Sequence, residues 1–321
     1  MVAFELRFED EDTFEPFYQE TAERELRESE DNIKTGLKKL KDLIKSEDNF
    51  YVPLDEDVYL MSFLRSCKYY PESAFARMRS LFKFKARYPQ YCANLLPQNE
   101  RNVFESNMFT VIPTRDQLGR RVLIAEAGEK WNTKEVSLTE IYKCLQMILE
   151  AAMVEPRTQI AGCAMIVDMK GLNGNHIWQF SPGFAKLVLD WQQDCLPVRL
   201  KAIHIVNQPY IFNMLFQLFR PFLREKLRTR IFFHGSNTEG LLKYFDAKCI
   251  PIKFGGHCTA SLESGHELWR LMCQYTDQFE RKAKYGYTSS DSKQSMKLKD
   301  NKLLSNNNNE DIAIPDNTEL I

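Results

Sequence analysis

Four basic side chains carry the most pointed chemistry in the sequence: Arg199, Lys201, Lys226 and Arg230. Arg199 and Lys201 alternate along an extended segment, and Lys226 and Arg230 stand four apart on an expected helix, so the members of each pair point the same way. Like charges set side by side repel unless an anion is to be held between them, and two such pairs read as a phosphate cradle. Arg220, Arg224 and Arg228 bring the stretch from Asp194 to Gly235 to seven bases, with Glu225 the only acid after Asp194, although the whole chain has a formal charge of -1. The basicity is local and implies an anionic partner. Apolar helical surface in the same stretch suits a protein that meets membranes without spanning them.

Catalytic chemistry is absent from the pattern. Asp168 ends one apolar strand and His204 sits inside another, which makes an acid/base pair conceivable, but a strand-borne polar residue serves more often as a hydrogen-bonded structural group. There is no GxSxG elbow, Walker loop or GxGxxG, and the glycines of KGLNGNH at 170–176 have the wrong spacing for dinucleotide phosphates. His257, Cys258 and His266 lack the paired spacing of a zinc site, so neither metal nor cofactor is expected. The eight cysteines, Cys67, Cys92, Cys144, Cys163, Cys195, Cys249, Cys258 and Cys273, show no pairing pattern and read as free thiols of a reducing compartment. The bases lie among apolar elements without a platform of exposed aromatics, which argues against nucleic acid as partner. The chain reads as a binding protein and not an enzyme.

The elements that must position these bases follow from periodicity. The 321 residues, 44% of them apolar, suffice for a sizeable core. Residues 1–20 are acidic with scattered phenylalanines and read as an N-terminal arm; acids stand where a signal peptide needs a basic start, and no apolar run approaches the roughly 20 residues of a membrane span. An intracellular, cytoplasmic location is expected. A helix is expected from near Thr21, with Ile33, Leu37, Leu40 and Ile44 on one face. Val58, Met61 and Leu64 mark the face of a second helix, and Phe75, Met78, Leu81 and Phe82 that of a third, opened by Pro71 and stopped by Pro89. Residues 21–100 thus form an all-helical module.

Between 101 and 285 the period changes. Apolar runs at FTVIP, RVLIAEA, IAGCAMIVDM, KAIHIV and RIFFHG alternate with helical segments, which gives an α/β fold: a mixed, mostly parallel sheet flanked by helices. A capping box, Ser137 with Glu140, opens a helix over 138–154 whose apolar face is broad enough to bury against a sheet or line a cavity. In 181–196, Lys186, Asp190 and Gln193 form a solvated face opposite Phe184, Leu187, Val188 and Trp191, so this helix can cover an apolar hole. The segment 209–223 is apolar nearly all round and reads as sandwiched, either as a cavity wall or as a core helix. Residues 286–321 are polar, carry an asparagine run and read as a disordered tail.

Several motifs fall in a familiar order: D-x-x-P-x-R-x-K from Asp194, I-H-x-x-N-x-P from Ile203, P-F-L-x-E-K-x-x-x-R from Pro221 running into His234-Gly235, and IPIKFGG at 250–256. Over roughly residues 20 to 280 the chain resembles the CRAL-TRIO lipid-transfer family, in its tocopherol-transfer, retinaldehyde-binding and clavesin branch. The resemblance implies the CRAL-TRIO fold enclosing an apolar ligand cavity, a mobile lid at 181–196, and a phosphoinositide head-group site at Arg199, Lys201, Lys226 and Arg230. It implies a monomeric carrier that holds one hydrophobic molecule, tocopherol-like, retinoid-like or similar, and works peripherally at endosomal or other phosphoinositide-bearing membranes; a clavesin-like trafficking adaptor and a retinoid chaperone are the alternatives. The expected walls are Tyr142, Leu145, Leu149, Cys163, Val167 and Ile203 with the lid residues Phe184, Leu187, Val188 and Trp191. One departure is visible in FLRSCKY at 63–69, where Cys67 replaces an arginine typical of the branch and Lys68 stands beside it.

Overall fold

A computed structural model describes residues 6–9 and 14–288. Its strands are β1 (Phe50–Tyr51), β2 (Phe109–Val111), β3 (Arg121–Glu126), β4 (Cys163–Asp168), β5 (Leu200–Val206), β6 (Ile231–Phe233) and β7 (Gly286–Tyr287). The strands β2 to β6 form one sheet in sequence order, with β2 antiparallel to β3 and the remaining neighbours parallel. All five apolar runs singled out in the sequence are strands of this sheet. β3 is buried along its whole length, which is why its sequence reads as a continuous apolar run and not as an alternation.

Strand pleating turns that run into two different faces. Val122, Ile124, Ala164, Ile166 and Ala202 point to one side, where Leu241, Phe245, Ile250 and Phe254 fill the space completely. Leu123, Ala125, Cys163, Met165, Val167, Ile203 and Ile205 point to the other side, which is the one left partly hollow. The Leu138–Ala152 helix, opened by the expected reciprocal cap between Ser137 and Glu140, covers part of this second face. The Pro182–Asp190 helix, capped by Ser181 and continued by a π-helical turn at Trp191–Cys195, covers the rest.

The helical module differs from expectation at its edges. The chain enters its first helix at Pro16 and not near Thr21, and Tyr18 is buried with its hydroxyl donating to the Gly119 carbonyl. Part of the acidic arm is therefore bound to the fold by charge: Glu9 pairs with Arg115 at 3.1 Å and with Arg157 at 3.2 Å. The helices Glu30–Ser46, Asp57–Ser66 and Pro71–Arg87 bury Leu40, Ile44, Met61, Leu64, Phe75, Met78, Leu81 and Phe82. Val58, in the first turn of its helix, is exposed instead. At the other end, Gly286 and Tyr287 do not begin the tail; β7 pairs antiparallel with β1, so the C-terminal segment closes against the helical module. The expected polar tail falls on 289–321, outside the described residues.

The 209–223 segment is a helix at Phe212–Phe219 followed by a short 3-10 turn at Arg220–Phe222. It is not sandwiched: Met214 is 59% exposed, since only the side carrying Phe212 and Leu215 faces protein.

Candidate ligand cavity and basic cleft

The hollow face of the sheet holds a cavity of about 310 Å³. Tyr142, Leu145 and Leu149 reach it from the Leu138–Ala152 helix, Cys163 and Val167 from β4, and Ile203 from β5. Phe184, Val188 and Trp191 close it from above. Leu187 is not on this wall. The apolar stripe of its helix is wider than the opening, so its edge packs on protein, and Leu187 is buried in the core continuous with the helical module. Phe212, Leu215, Phe216 and Phe219 complete a wall that periodicity alone left open between cavity and core.

The lining is almost wholly apolar, and its few hydrogen-bonding groups are those of Tyr142, Trp191 and Gln192. Tyr142 packs edge-on to Trp191 at 5.3 Å and to Phe184 at 5.8 Å. Its hydroxyl is buried and has no hydrogen-bond partner among the described residues. A buried hydroxyl without a partner costs about 1–3 kcal/mol, which a polar atom brought within its reach would offset.

The roof helix is tied down at its C-terminal end. Gln193 donates to the Phe222 carbonyl at 3.1 Å and accepts from the Arg224 amide at 2.9 Å, and Asp194 pairs with the Arg224 guanidinium. On the side of the helical module, Arg77 donates to the Leu196 carbonyl at 2.9 Å. All of these bonds are short in reach and lie at the π-helical turn, so the helix ahead of it is held at one end.

The four bases gather as expected, but their geometry does not match the sequence reading in every respect. Arg199 and Lys201 do point one way, and both bond the same carboxylate, Glu25, at 2.5 and 2.6 Å. Lys226 and Arg230 do not share a helix face: the helix is a single turn, Glu225–Arg228, and Arg230 lies beyond it, its guanidinium donating to the Leu200 carbonyl. The chain turns there to enter β6, and the pair converges through that turn. Burial and then the neighbouring Arg230, Arg77, Lys68 and Arg199 push the Lys226 ammonium below its usual range, and burial with Arg199 does the same to Arg230. No carboxylate pairs with Lys226 or Arg230 among the described residues.

Lys68 supplies a base beside Cys67. Lys68 and Tyr69 both adopt left-handed backbone, at φ 53° and 55°, an arrangement side-chain-bearing residues enter at a cost and one that concentrates at functional sites. Arg65, two residues earlier, is instead structural, buried and paired with Glu28 at 2.8 Å.

Glu25 is the residue that sequence reasoning missed. It stands 174 positions from Arg199, on a π-helical turn of the first module, and no local pattern could have linked them. Burial would raise its carboxyl, but hydrogen bonds from Lys201 and Arg199 hold it down at about 2. A carboxylate depressed in this way stabilises the fold above the ordinary value of 4.5, and that contribution is lost as the pH falls toward 2. The ion pair is therefore intact throughout the physiological range.

Asp168 and His204 do not form an acid/base pair. Asp168 accepts from Asn207 at 2.9 Å and lies 3.1 Å from Lys253, which also bonds Glu126, whereas His204, on the same face of the sheet but opposite Ile166 in the register, is fully buried against His234 at 3.0 Å. They engage different partners, Asn207 and Lys253 for Asp168 and His234 for His204, and do not bond one another.

Comparison with known proteins places this geometry. The model of the CRAL/TRIO domain matches residues 105–256. The α-tocopherol transfer protein-like protein of Mus musculus is 30% identical over 235 residues, 73% of this chain and 68% of that protein. Clavesin-1 of Rattus norvegicus is 28% identical over 239 residues, 74% of this chain and 67% of its own, and clavesin-2 of Homo sapiens is 26% identical over 239 residues, 74% of this chain and 73% of its own.

Proposed function

Since this chain belongs to the CRAL/TRIO domain family, whose members bind hydrophobic small molecules, we propose that it carries a single apolar ligand in the 310 Å³ cavity and exchanges it at anionic membranes. The observation that carries the reading is the cavity itself, apolar on every wall, roofed by one helix and floored by the sheet. Its size sits at the lower end of pockets that take drug-sized molecules. A ligand that buries about 300 Å² of apolar surface there offsets about 7 kcal/mol of the cost of leaving a bilayer. The unpartnered Tyr142 hydroxyl favours a ligand with one polar terminus, a hydroxyl or an aldehyde, which covers tocopherol-like and retinoid-like molecules alike.

In this reading the Pro182–Asp190 helix is the lid, and the clip at Gln193, Asp194 and Arg224 is the end about which it moves. Trp178, Tyr210 and Met214 are 85%, 90% and 59% exposed. Trp178 stands just ahead of the lid, Met214 on the helix packed against it, and Tyr210 just before that helix. Exposed aromatic and aliphatic side chains beside a lid are suited to enter a membrane interface, where each contributes through its buried apolar area. The basic residues Arg199, Lys201, Lys226 and Arg230, joined by Lys68, would hold the phosphates of an inositol lipid, giving a peripheral, phosphoinositide-dependent attachment.

The test separates docking from storage. Trp178→Asp with Met214→Asp should slow transfer of a fluorescent tocopherol or retinoid from protein to vesicles about tenfold, because two interfacial contacts are lost, while equilibrium affinity in the absence of vesicles stays unchanged. Equal loss of affinity and transfer, or no effect on transfer, would contradict the assignment of these side chains to the membrane face.

A further inference from the structure

A second cavity, of about 530 Å³, lies on the far side of Trp191 and differs from the first in being lined by charge. It forms where the Asp57–Ser66 and Pro71–Arg87 helices meet the C-terminal half of the Leu138–Ala152 helix, the segment after the lid, and the last helix, Thr276–Lys282. Three ionic side chains set its character. The Lys282 ammonium is 8% exposed, lies 3.6 Å from its carboxylate partner Glu150, and stands 5.5 Å over the Tyr59 ring. Lys85 faces the same carboxylate: burial would raise Glu150, and Lys85 with Lys282 outweighs burial and holds it below its usual range.

The other acids on the wall are engaged elsewhere or lie in solvent. Glu56 accepts from the Tyr285 hydroxyl at 2.7 Å and lies 3.8 Å from Arg281, Asp57 pairs with Lys41 at 2.6 Å, and Asp55 is exposed. Lys282 thus pairs with a half-buried carboxylate that also feels Lys85, and the Lys282 side chain is almost fully out of water. An ammonium has three donors, and a buried one is costly unless its charge and donors are met. Glu150 at 3.6 Å is the one carboxylate paired with Lys282 among the described residues. Beside them the Gln278 Oε1 is buried and accepts no hydrogen bond among the described residues.

We propose that this cavity is a second binding site, for a small organic anion bearing a carboxylate or a phosphate, held by Lys282 and Lys85 and sensed through Trp191. The anion completes the coordination of the two ammonium groups, and a hydroxyl or amine on the same molecule meets Gln278. Trp191 forms part of the wall of both cavities, so among the described residues it alone meets both occupants. It opens the π-helical turn that ends the lid, which makes an occupant of the charged cavity a neighbour of the lid's fixed end.

The probes are inorganic phosphate and acetate, titrated separately into the full chain without cargo. Both are titrated in the Lys226→Glu, Arg230→Glu background, so that the basic cleft cannot account for the result. Calorimetry should report one saturable site for at least one probe, and the probe that binds identifies the anionic group preferred. Lys282→Met should weaken that binding about tenfold or more, because a buried charge contact is removed. Lys85→Met, at a partly exposed position, should weaken it in the same direction and covers the case in which the buried substitution unfolds the chain. Binding should change tryptophan fluorescence, and in Trp191→Phe most of that change should be lost at saturation, whatever the variant's affinity. No saturable binding at about 10 mM of either probe overturns the proposal, as does binding that both lysine variants leave intact. Because no lipid is present, a failed carrier assignment would leave these results unaffected.

Discussion

Leu149→Arg should reduce affinity for a fluorescent tocopherol or retinoid at least about a hundredfold, measured by energy transfer from Trp191, which shares the cavity wall with Leu149. The long side chain enters an apolar space in which no carboxylate waits for it, and a buried unpaired charge costs about 3–5 kcal/mol, more than enough for two decades of affinity. Leu149 also contributes to the packing around the cavity, so the fold is to be verified by circular dichroism. Leu149→Trp provides the uncharged counterpart: it fills part of the 310 Å³ and should exclude ligand while leaving stability equal or higher. Full affinity in both variants, with intact spectra, would contradict the placement of cargo in this cavity.

A second large effect is expected at the basic cleft. Lys226→Glu with Arg230→Glu should abolish binding to phosphoinositide vesicles, since each base near an anionic surface contributes about 1 kcal/mol and reversal doubles the change. Cargo affinity should persist, because neither side chain is on the wall of the apolar cavity. Glu25→Gln should act in the opposite direction. Its carboxylate now occupies Arg199 and Lys201, where a phosphate is expected, and neutralising it should tighten vesicle binding several-fold, about 1 kcal/mol by the same measure. Both effects should shrink as salt rises, because the exposed charge of the vesicle surface is screened over a Debye length of about 8 Å. A double variant that still binds vesicles at physiological salt like the unmodified chain would reduce the bases to a solvated face.

How far the sequence speaks for itself differs between fold and site. The strands β2 to β5 were legible because strands covered on both faces carry largely unbroken apolar runs, and the Leu138 helix because its cap is encoded in Ser137 and Glu140. The Pro16 start was not legible: the residues there are acidic and aromatic, and what orders them is tertiary, the Tyr18 bond to Gly119 and the Glu9 pairs with Arg115 and Arg157. Leu187 looked like Phe184 and Val188 on a helical projection, and only the position of the neighbouring module decides which edge of the stripe meets the cavity. The basic pairs were found by spacing, but the geometry that brings Lys226 toward Arg230 is a turn between a one-turn helix and β6, which spacing does not encode. Glu25 belongs to the same class of omission, since a counter-ion supplied by another module leaves no local trace.

The carrier assignment is tested most directly by native mass spectrometry of the full chain recovered from cells or loaded from vesicles, followed by organic extraction of what it holds. The account predicts one apolar molecule per chain, of a size that the cavity admits and with a single polar terminus, and its loss in Leu149→Arg. A chain that takes up no apolar molecule under either condition, while remaining folded and still binding phosphoinositide vesicles, would contradict it.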